Sequence, residues 1–240
     1  MDKPYSDITF AGVFWQEEKR LPLLLKYVRP WFANIVVGVQ KGGDLTADFA
    51  YELANKVVLD VHHGFAEPTF TKVLGAISTP WTMVISGDEK PSPDLLDSLG
   101  EMLEFSRLSN EPQVDAFRIR FHSTIDGIDF TGEQDCHIRV FKTKCSWPTT
   151  MHSEPRVERP VYWDTGYVDH DRSLDEMIVD YLSYYHRGLG DAGWDKHNRM
   201  MMRGACGGVA GPRGWAYVKS FGWWAEVASV AYEAEGFALP

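Results

Sequence analysis

Cysteine is scarce in this 240-residue chain: there are three, at positions 136, 145 and 206, with no paired close spacing. That excludes a disulfide framework and a zinc site of the Cys-x-x-Cys kind, and it points to a reducing compartment, so a cytoplasmic protein is expected. Long apolar runs are also missing. No stretch approaches the ~20 residues a membrane-spanning helix needs, so no transmembrane segment is expected, and the polar start Met1-Asp2-Lys3-Pro4 has no signal-peptide pattern. Neither the Walker spacing with Lys-Ser/Thr nor a G-x-G-x-x-G after the first apolar run occurs. A basic surplus is absent too: the net charge of −10 argues against broad, sequence-independent binding to nucleic acid.

What is present is a large apolar fraction, 44%, arranged as short runs alternating with helix-like segments, enough for one sizeable core. Ile8–Phe14, Ile35–Val39, Val57–Val61 and Thr82–Ile85 read as strands. Leu21–Val28, Thr46–Ala54 and the segment around Lys72–Ile77 read as the helices between them. Pro22 suits a first helical turn and Pro30 a stop. Ser92 can cap a further helix carrying Leu95, Leu96, Leu99, Met102 and Leu103. Strands alternating with helices predict a parallel sheet covered on both faces, with ligands at the carboxyl ends of its strands. Beyond Asp115 the pattern becomes an alternating one. Asp115–His122 and Cys136–Lys142 read as half-exposed strands, Leu174–Tyr185 and Ala216–Glu235 as helices, and Gly204–Gly214 as a loop. The fold expected is α/β, a mixed sheet flanked by helices with a C-terminal helical elaboration.

Candidate chemistry gathers at the predicted strand ends. Ser86-Gly87-Asp88-Glu89 closes a buried-looking strand with two adjacent carboxylates. They read either as a polar turn or as a site for Mg2+ or Mn2+ carrying a diphosphate, with Gly87 allowing close backbone approach. Glu154, just before a proline in a polar loop, has the character of a general base. His170, in Val168-Asp169-His170-Asp171, can reach a metal. The pair His62-His63 shows no third ligand at metal-site spacing. Lys72 reads as a phosphate contact or as a solvated helix residue. The loop Gln40-Lys41-Gly42-Gly43-Asp44 resembles a phosphate cradle loosely. Trp163, Trp194, Trp215, Trp223 and Trp224 can stack on a sugar or lie in the core.

The order of these motifs resembles family 2 glycosyltransferases of the GT-A fold. Val13 to Leu21 is similar to their "AKNEEKRL" opening, and Ile35 to Thr46 to their second strand and "GSTDGT"-like loop. Trp81 to Leu96 is similar to "WILWLDADEVLSPELL". Ile138 to Lys142, then Trp147, then His152-Ser153-Glu154, resembles the "RLFR…W…HE" series of the lipopolysaccharide-core type. The resemblance covers roughly residues 8–186 and implies a GT-A-like, Rossmann-type sheet. It implies transfer of a sugar from a nucleotide-sugar to an acceptor hydroxyl, with inversion and with Mn2+ or Mg2+. It places Phe14, Gln16, Glu17, Gln40, Asp44, Lys72, Gly87 and Asp88 on the donor nucleotide, and Asp88 with His170 on the metal. Glu154 is the implied catalytic base, with Asp135 and Glu89 behind it.

Two departures from the family pattern stand out. Ser86 replaces the first acid of D-x-D, and the acid that ends the second strand and reads the base is replaced around Val39-Gln40-Lys41. They keep a second reading open, a non-catalytic GT-A-like module that binds a nucleotide-sugar or a protein. The chain is expected to be one domain over residues 1–240, with a nucleotide-sugar half at about 7–110 and an acceptor half with C-terminal helices at about 111–240. The acceptor is left open between glycan, lipid-linked sugar, protein and modified nucleic acid.

Overall fold

The computed structural model describes residues 5–108, 114–125, 127–129, 136–150 and 153–173. The expected helices at 174–185 and 216–235, the loop at 204–214, and Asp135, His152, Cys206 and the four tryptophans beyond Trp163 lie outside the described residues. The chain divides into two compact units. One comprises Met1–His122 and Thr131–His170, the other Ser123–Phe130 and Asp171–Pro240.

The first unit is built on a parallel sheet. Its strands are β1 (Tyr5–Phe14), β2 (Phe32–Gln40), β3 (Lys56–Asp60) and β4 (Trp81–Val84), joined through α1 (Leu21–Val28), α2 (Thr46–Leu53) and α3 (Glu67–Gly75). β1 is buried from Ile8 to Phe14 without alternation, as a central strand covered on both faces must be. On one face α1 contributes Leu21, Leu24, Leu25 and Val28 to a cluster with Phe10, Phe14 and Ile35. On the other, Phe70, Val73 and Leu74 of α3 meet Ala11, Val36 and Val84. Pro68 lies in the first turn of α3, so this helix starts earlier than the apolar spacing around Lys72 suggests.

The order of the parallel strands is β3-β2-β1-β4. The chain runs outward from β1 to β3 and then returns to β1's other side. That reversal opens a crevice at the carboxyl ends of β1 and β4. The backbone N–H of Ile85 still bonds the Ala11 carbonyl at 3.0 Å, so the two strands part just beyond this point.

The described sheet continues with β5 (Glu89–Pro91), β6 (Ala116–Ile125), β7 (Ile128–Asp129), β8 (Cys136–Lys142) and β9 (Pro160–Arg172). Its order from β4 onward is β8-β6-β9-β5, with β7 paired to β6. β8 runs antiparallel to β4, with Thr82 opposite Phe141, which makes the sheet mixed. The pairing of β6 with β8 shifts register between Phe117 and Arg118. In the second unit, β7 pairs with the end of β6, and the Thr124 hydroxyl donates to Asp171.

Ser92 caps α4 (Pro93–Asp97) as expected, accepting the Leu95 N–H at 3.2 Å. The single helix expected after it is two: α4 gives way at Ser98 to α5 (Leu99–Leu108). The Ser98 hydroxyl turns back to the Leu95 carbonyl and itself accepts the Trp163 indole N–H. Trp163 is therefore half-buried against the core, edge-on to Phe117 at 5.6 Å, with its indole N–H already bonded. β9 crosses α4 closely at Gly166, where φ is +76° and an added Cβ would stand 2.3 Å from the Leu95 nitrogen. Only glycine combines that backbone with that approach.

Candidate functional site at the carboxyl edge of the sheet

The turn after β4 is short and tightly bonded. The Glu89 N–H bonds the Ser86 carbonyl at 3.2 Å, and the Ser86 N–H bonds the Glu89 carboxylate at 3.0 Å. Glu89 is also gripped by the Arg139 guanidinium through both carboxylate oxygens. Both side chains are largely buried. This is a bidentate pair in a low-dielectric setting, the arrangement in which each partner depends most on the other. Glu89, a candidate base from the sequence, is thereby occupied as a structural anchor of the turn.

The second acid behaves differently. β5 lies antiparallel to β9 with Glu89 opposite His170, so the neighbouring Asp88 meets the His170 side chain. Asp88 Oδ2 and His170 Nε2 are 3.1 Å apart, and both side chains are partly open to solvent. Two residues 82 positions apart, linked in the sequence only by family resemblance, are thus brought together by one strand pair. A carboxylate oxygen and an imidazole nitrogen on one divalent ion stand about 3 Å apart when each ligand lies at ~2.1 Å. The spacing is compatible with both side chains holding one divalent ion. No group of three or more metal-ligating side chains occurs among the described residues.

Glu17, in the turn after β1, packs against this site. A Cβ at Gly87 would sit 2.5 Å from the Glu17 carboxylate, so glycine is what lets that side chain approach. The two loops beside it are sewn together by hydrogen bonds. The Glu17 N–H donates to the Thr46 hydroxyl at 2.7 Å, and that hydroxyl donates to Asp44 at 2.6 Å. The Glu18 N–H also reaches Asp44, at 3.3 Å. Asp44 therefore acts as a loop clamp. Gln16 is exposed with φ at +55°, whereas Phe14 is buried in the core, so its side chain is not available to a nucleotide.

The edge beyond β2 and β3 holds a polar network. Gln40, only 2% exposed, donates to the Phe65 carbonyl at 2.7 Å and the Thr69 hydroxyl at 3.0 Å, and its oxygen meets His62 Nδ1 at 2.9 Å. Its amide is spoken for inside the protein, contrary to the expectation that it reads a base. Lys72 likewise is bonded to Asp60. Asp60, which sequence reasoning passed over, also accepts from Thr69 and the Val61 N–H and contacts His63. Burial by itself would raise its pKa. The Lys72, Thr69, Val61 and His63 bonds outweigh that and hold it well below the usual carboxylate range. The signal for Asp60 was its place, an acid next to the end of the strand expected at Val57–Val61. Above this network the Trp15 indole stacks on His62, with ring centroids 4.1 Å apart and planes 17° apart, and keeps 37% of its surface exposed.

Glu154 sits at the register shift between β6 and β8. Its Oε1 accepts the Ile138 N–H at 3.2 Å and lies 3.3 Å from His137 Nδ1, while Oε2 lies 3.1 Å from Arg118. Burial pushes its pKa up, but the His137 and Ile138 hydrogen bonds and the Arg118 charge pull it down to about 2 from an ordinary 4.5. Such a carboxylate is ionised at any physiological pH and is a weak proton acceptor. Trp147, from the same motif series, is a core residue stacked on Phe70 at 4.3 Å.

No protein-family model and no curated protein sequence matches the chain. Its likeness is to solved structures. S. aureus TarS 1–349 in complex with UDP superposes with a TM-score of 0.53 at 11% identity, covering 75% of this chain and 65% of that one. A second crystal structure of S. aureus TarS 1–349 gives 0.52 at 10% identity with the same coverage. A further S. aureus TarS structure gives 0.50 at 8% identity, covering 75% of this chain and 40% of that one. The chain thus spans just under two thirds of TarS 1–349. Identities this low establish the fold, which is the GT-A glycosyltransferase fold, a Rossmann-type mixed sheet flanked by helices.

Proposed function

We propose that the chain is a glycosyltransferase that moves a sugar from a nucleoside-diphosphate donor to an acceptor hydroxyl, with inversion and with a divalent cation. The observation that carries this reading is the Asp88–His170 pair, set in the crevice where the strand order reverses around β1. Asp88 and His170 would hold a cation there, and it would supply positive charge to the donor diphosphate as the glycosidic bond breaks. The TarS structure with UDP bound to the same fold supports a uridine nucleotide as the donor's carrier.

The chain's own residues divide the remaining work. Gly87 and Glu17 shape the floor beside the diphosphate, and Asp44 fixes the loop that Glu17 hangs from. Asp60 fixes the Lys72 ammonium at the rim, so Lys72 contributes charge from a held position. The exposed Trp15 indole, backed by His62, gives the nucleobase a ring to stack on in place of a hydrogen bond from Gln40.

The alternative is a binding module of the same fold that no longer turns over. Ser86 in place of an acid, and the internal engagement of Gln40 and Glu89, favour it. The two separate in one assay. The protein is incubated with Mn2+ and a panel of nucleotide-sugars including UDP-glucose and UDP-N-acetylglucosamine, and released nucleoside diphosphate is measured. Release from at least one donor, lost in Asp88→Ala, supports transfer. Nucleotide binding without any release supports the module, and neither binding nor release overturns both.

A further inference from the structure

We propose that Arg139 is the positioning residue of the Asp88–His170 site, fixing Asp88 through Glu89 and His170 through Phe121. The assignment rests on the reading of that pair as a cation site and adds to it the residue that sets its geometry. Arg139 stands on β8, an interior strand held between β4 and β6, and its side chain is only 14% exposed. Nη1 donates to the Ile138 carbonyl at 3.3 Å, which ties the guanidinium back to its own strand. Whatever this group bonds is therefore held from the middle of the sheet.

One arm runs to Asp88. Nε donates to Glu89 Oε2 at 3.1 Å and Nη2 donates to Oε1. The same Oε2 accepts the Ser86 N–H at 3.0 Å, while the Glu89 N–H returns to the Ser86 carbonyl at 3.2 Å. Ser86 and Glu89 are thus tied twice, with Gly87-Asp88 as the chain between them. A carboxylate gripped by a planar fork cannot turn without breaking both bonds, so the turn that carries Asp88 takes its shape from Arg139.

The other arm runs to His170. The guanidinium carbon of Arg139 lies 4.8 Å from the centroid of Phe121, a ring only 2% exposed. The His170 ring meets the same phenyl edge-on, at 5.9 Å and 80°. The backbone repeats the link, because Glu89 stands opposite His170 in the β5–β9 pair. Two side chains 82 positions apart thereby share one point of support. Charge agrees with the role: Glu89 neutralises the guanidinium, so Arg139 contributes geometry without repelling a cation.

The test uses the full chain with Mn2+, with and without UDP, and needs no turnover. Stability and Mn2+ affinity are measured together in wild type, Arg139→Met, Glu89→Leu/Arg139→Met and Arg139→Lys. The double replacement removes the buried charges as a pair, so it should regain stability over Arg139→Met. Its Mn2+ affinity should nevertheless stay ~10-fold or more below wild type, the usual cost of losing an outer-shell partner. Pulsed electron paramagnetic resonance reads the geometry directly: bound Mn2+ should couple to an imidazole nitrogen in the wild type, and that coupling should be absent in His170→Ala and weakened in the double replacement. A double replacement that regains stability and binds Mn2+ within about threefold of wild type, coupling intact, overturns the positioning role alone. Arg139→Lys decides the matter where the double replacement does not fold, since it keeps the charge as a point in place of a fork. A ~10-fold loss there supports the role and wild-type affinity overturns it. A wild type that binds no Mn2+, or one whose affinity survives Asp88→Asn, overturns the cation reading and this assignment with it.

Discussion

At the scale of single residues, the carboxylates of this chain divide by what holds them. Asp88 faces a histidine and partial solvent, Glu89 an arginine in the interior, and Glu154 three donors at a strand irregularity. The burial of the Glu89–Arg139 pair predicts that removing one partner costs more than removing both. Arg139→Met or Glu89→Gln alone should destabilise by about 3–5 kcal/mol, and the double replacement Glu89→Leu/Arg139→Met by clearly less. Chemical denaturation of the three variants checks this, and equal losses in all three would contradict it. Glu154 predicts a pH dependence. Its folded pKa, about 2, lies below the ordinary 4.5, so its contribution is complete above 4.5 and fades as pH falls toward 2. Glu154→Gln should therefore be less stable than wild type by about 1–2 kcal/mol near neutrality, after allowance for its partial exposure, and the gap should close in acid. A gap that widened on acidification would reverse the sign of the argument.

At the scale of elements, β1, β2 and β4 were readable because they are largely buried and carry near-continuous apolar residues between clear helix signals. The Asp88 turn was readable for the same reason, since it ends such a strand. β5 and β9 were not. β5 is three residues with a proline, and β9 alternates Val161 and Trp163 with exposed neighbours before Gly166 bends it, a pattern that passes for loop. Yet this pair places His170 beside Asp88. Gln40 and Glu89 are engaged inside the protein for one reason: their partners, Thr69 and Arg139, lie far along the chain, which local spacing does not reveal. The account predicts that Gly166→Val forces β9 away from α4. Stability should fall by roughly 2–3 kcal/mol or more, from the positive φ and the 2.3 Å approach to Leu95 together, and any Mn2+-dependent UDP binding should fall with it. Thermal unfolding and calorimetry on one preparation check both, and a stable variant with unaltered binding would contradict the role given to this crossing.

At the scale of the whole molecule, the reversal of strand order about β1 marks the crevice proposed for the donor, and the sheet continues beyond β4 through β8 and β6. The net charge of −10 makes the affinity for a doubly charged diphosphate depend on local cations, because the overall field opposes it. Without a divalent ion, UDP binding should therefore be weak and should strengthen with added salt, which screens the unfavourable field. With the ion, it should be tight and localised to Asp88 and His170. The most direct measurement is calorimetric titration of UDP into the wild-type chain, Asp88→Asn and His170→Ala, with and without Mn2+. The account predicts at least a tenfold gain from Mn2+ in the wild type, about 1.4 kcal/mol, that is lost in both variants while their metal-free binding is unchanged. A wild type indifferent to Mn2+, or a gain that survives both substitutions, would contradict it.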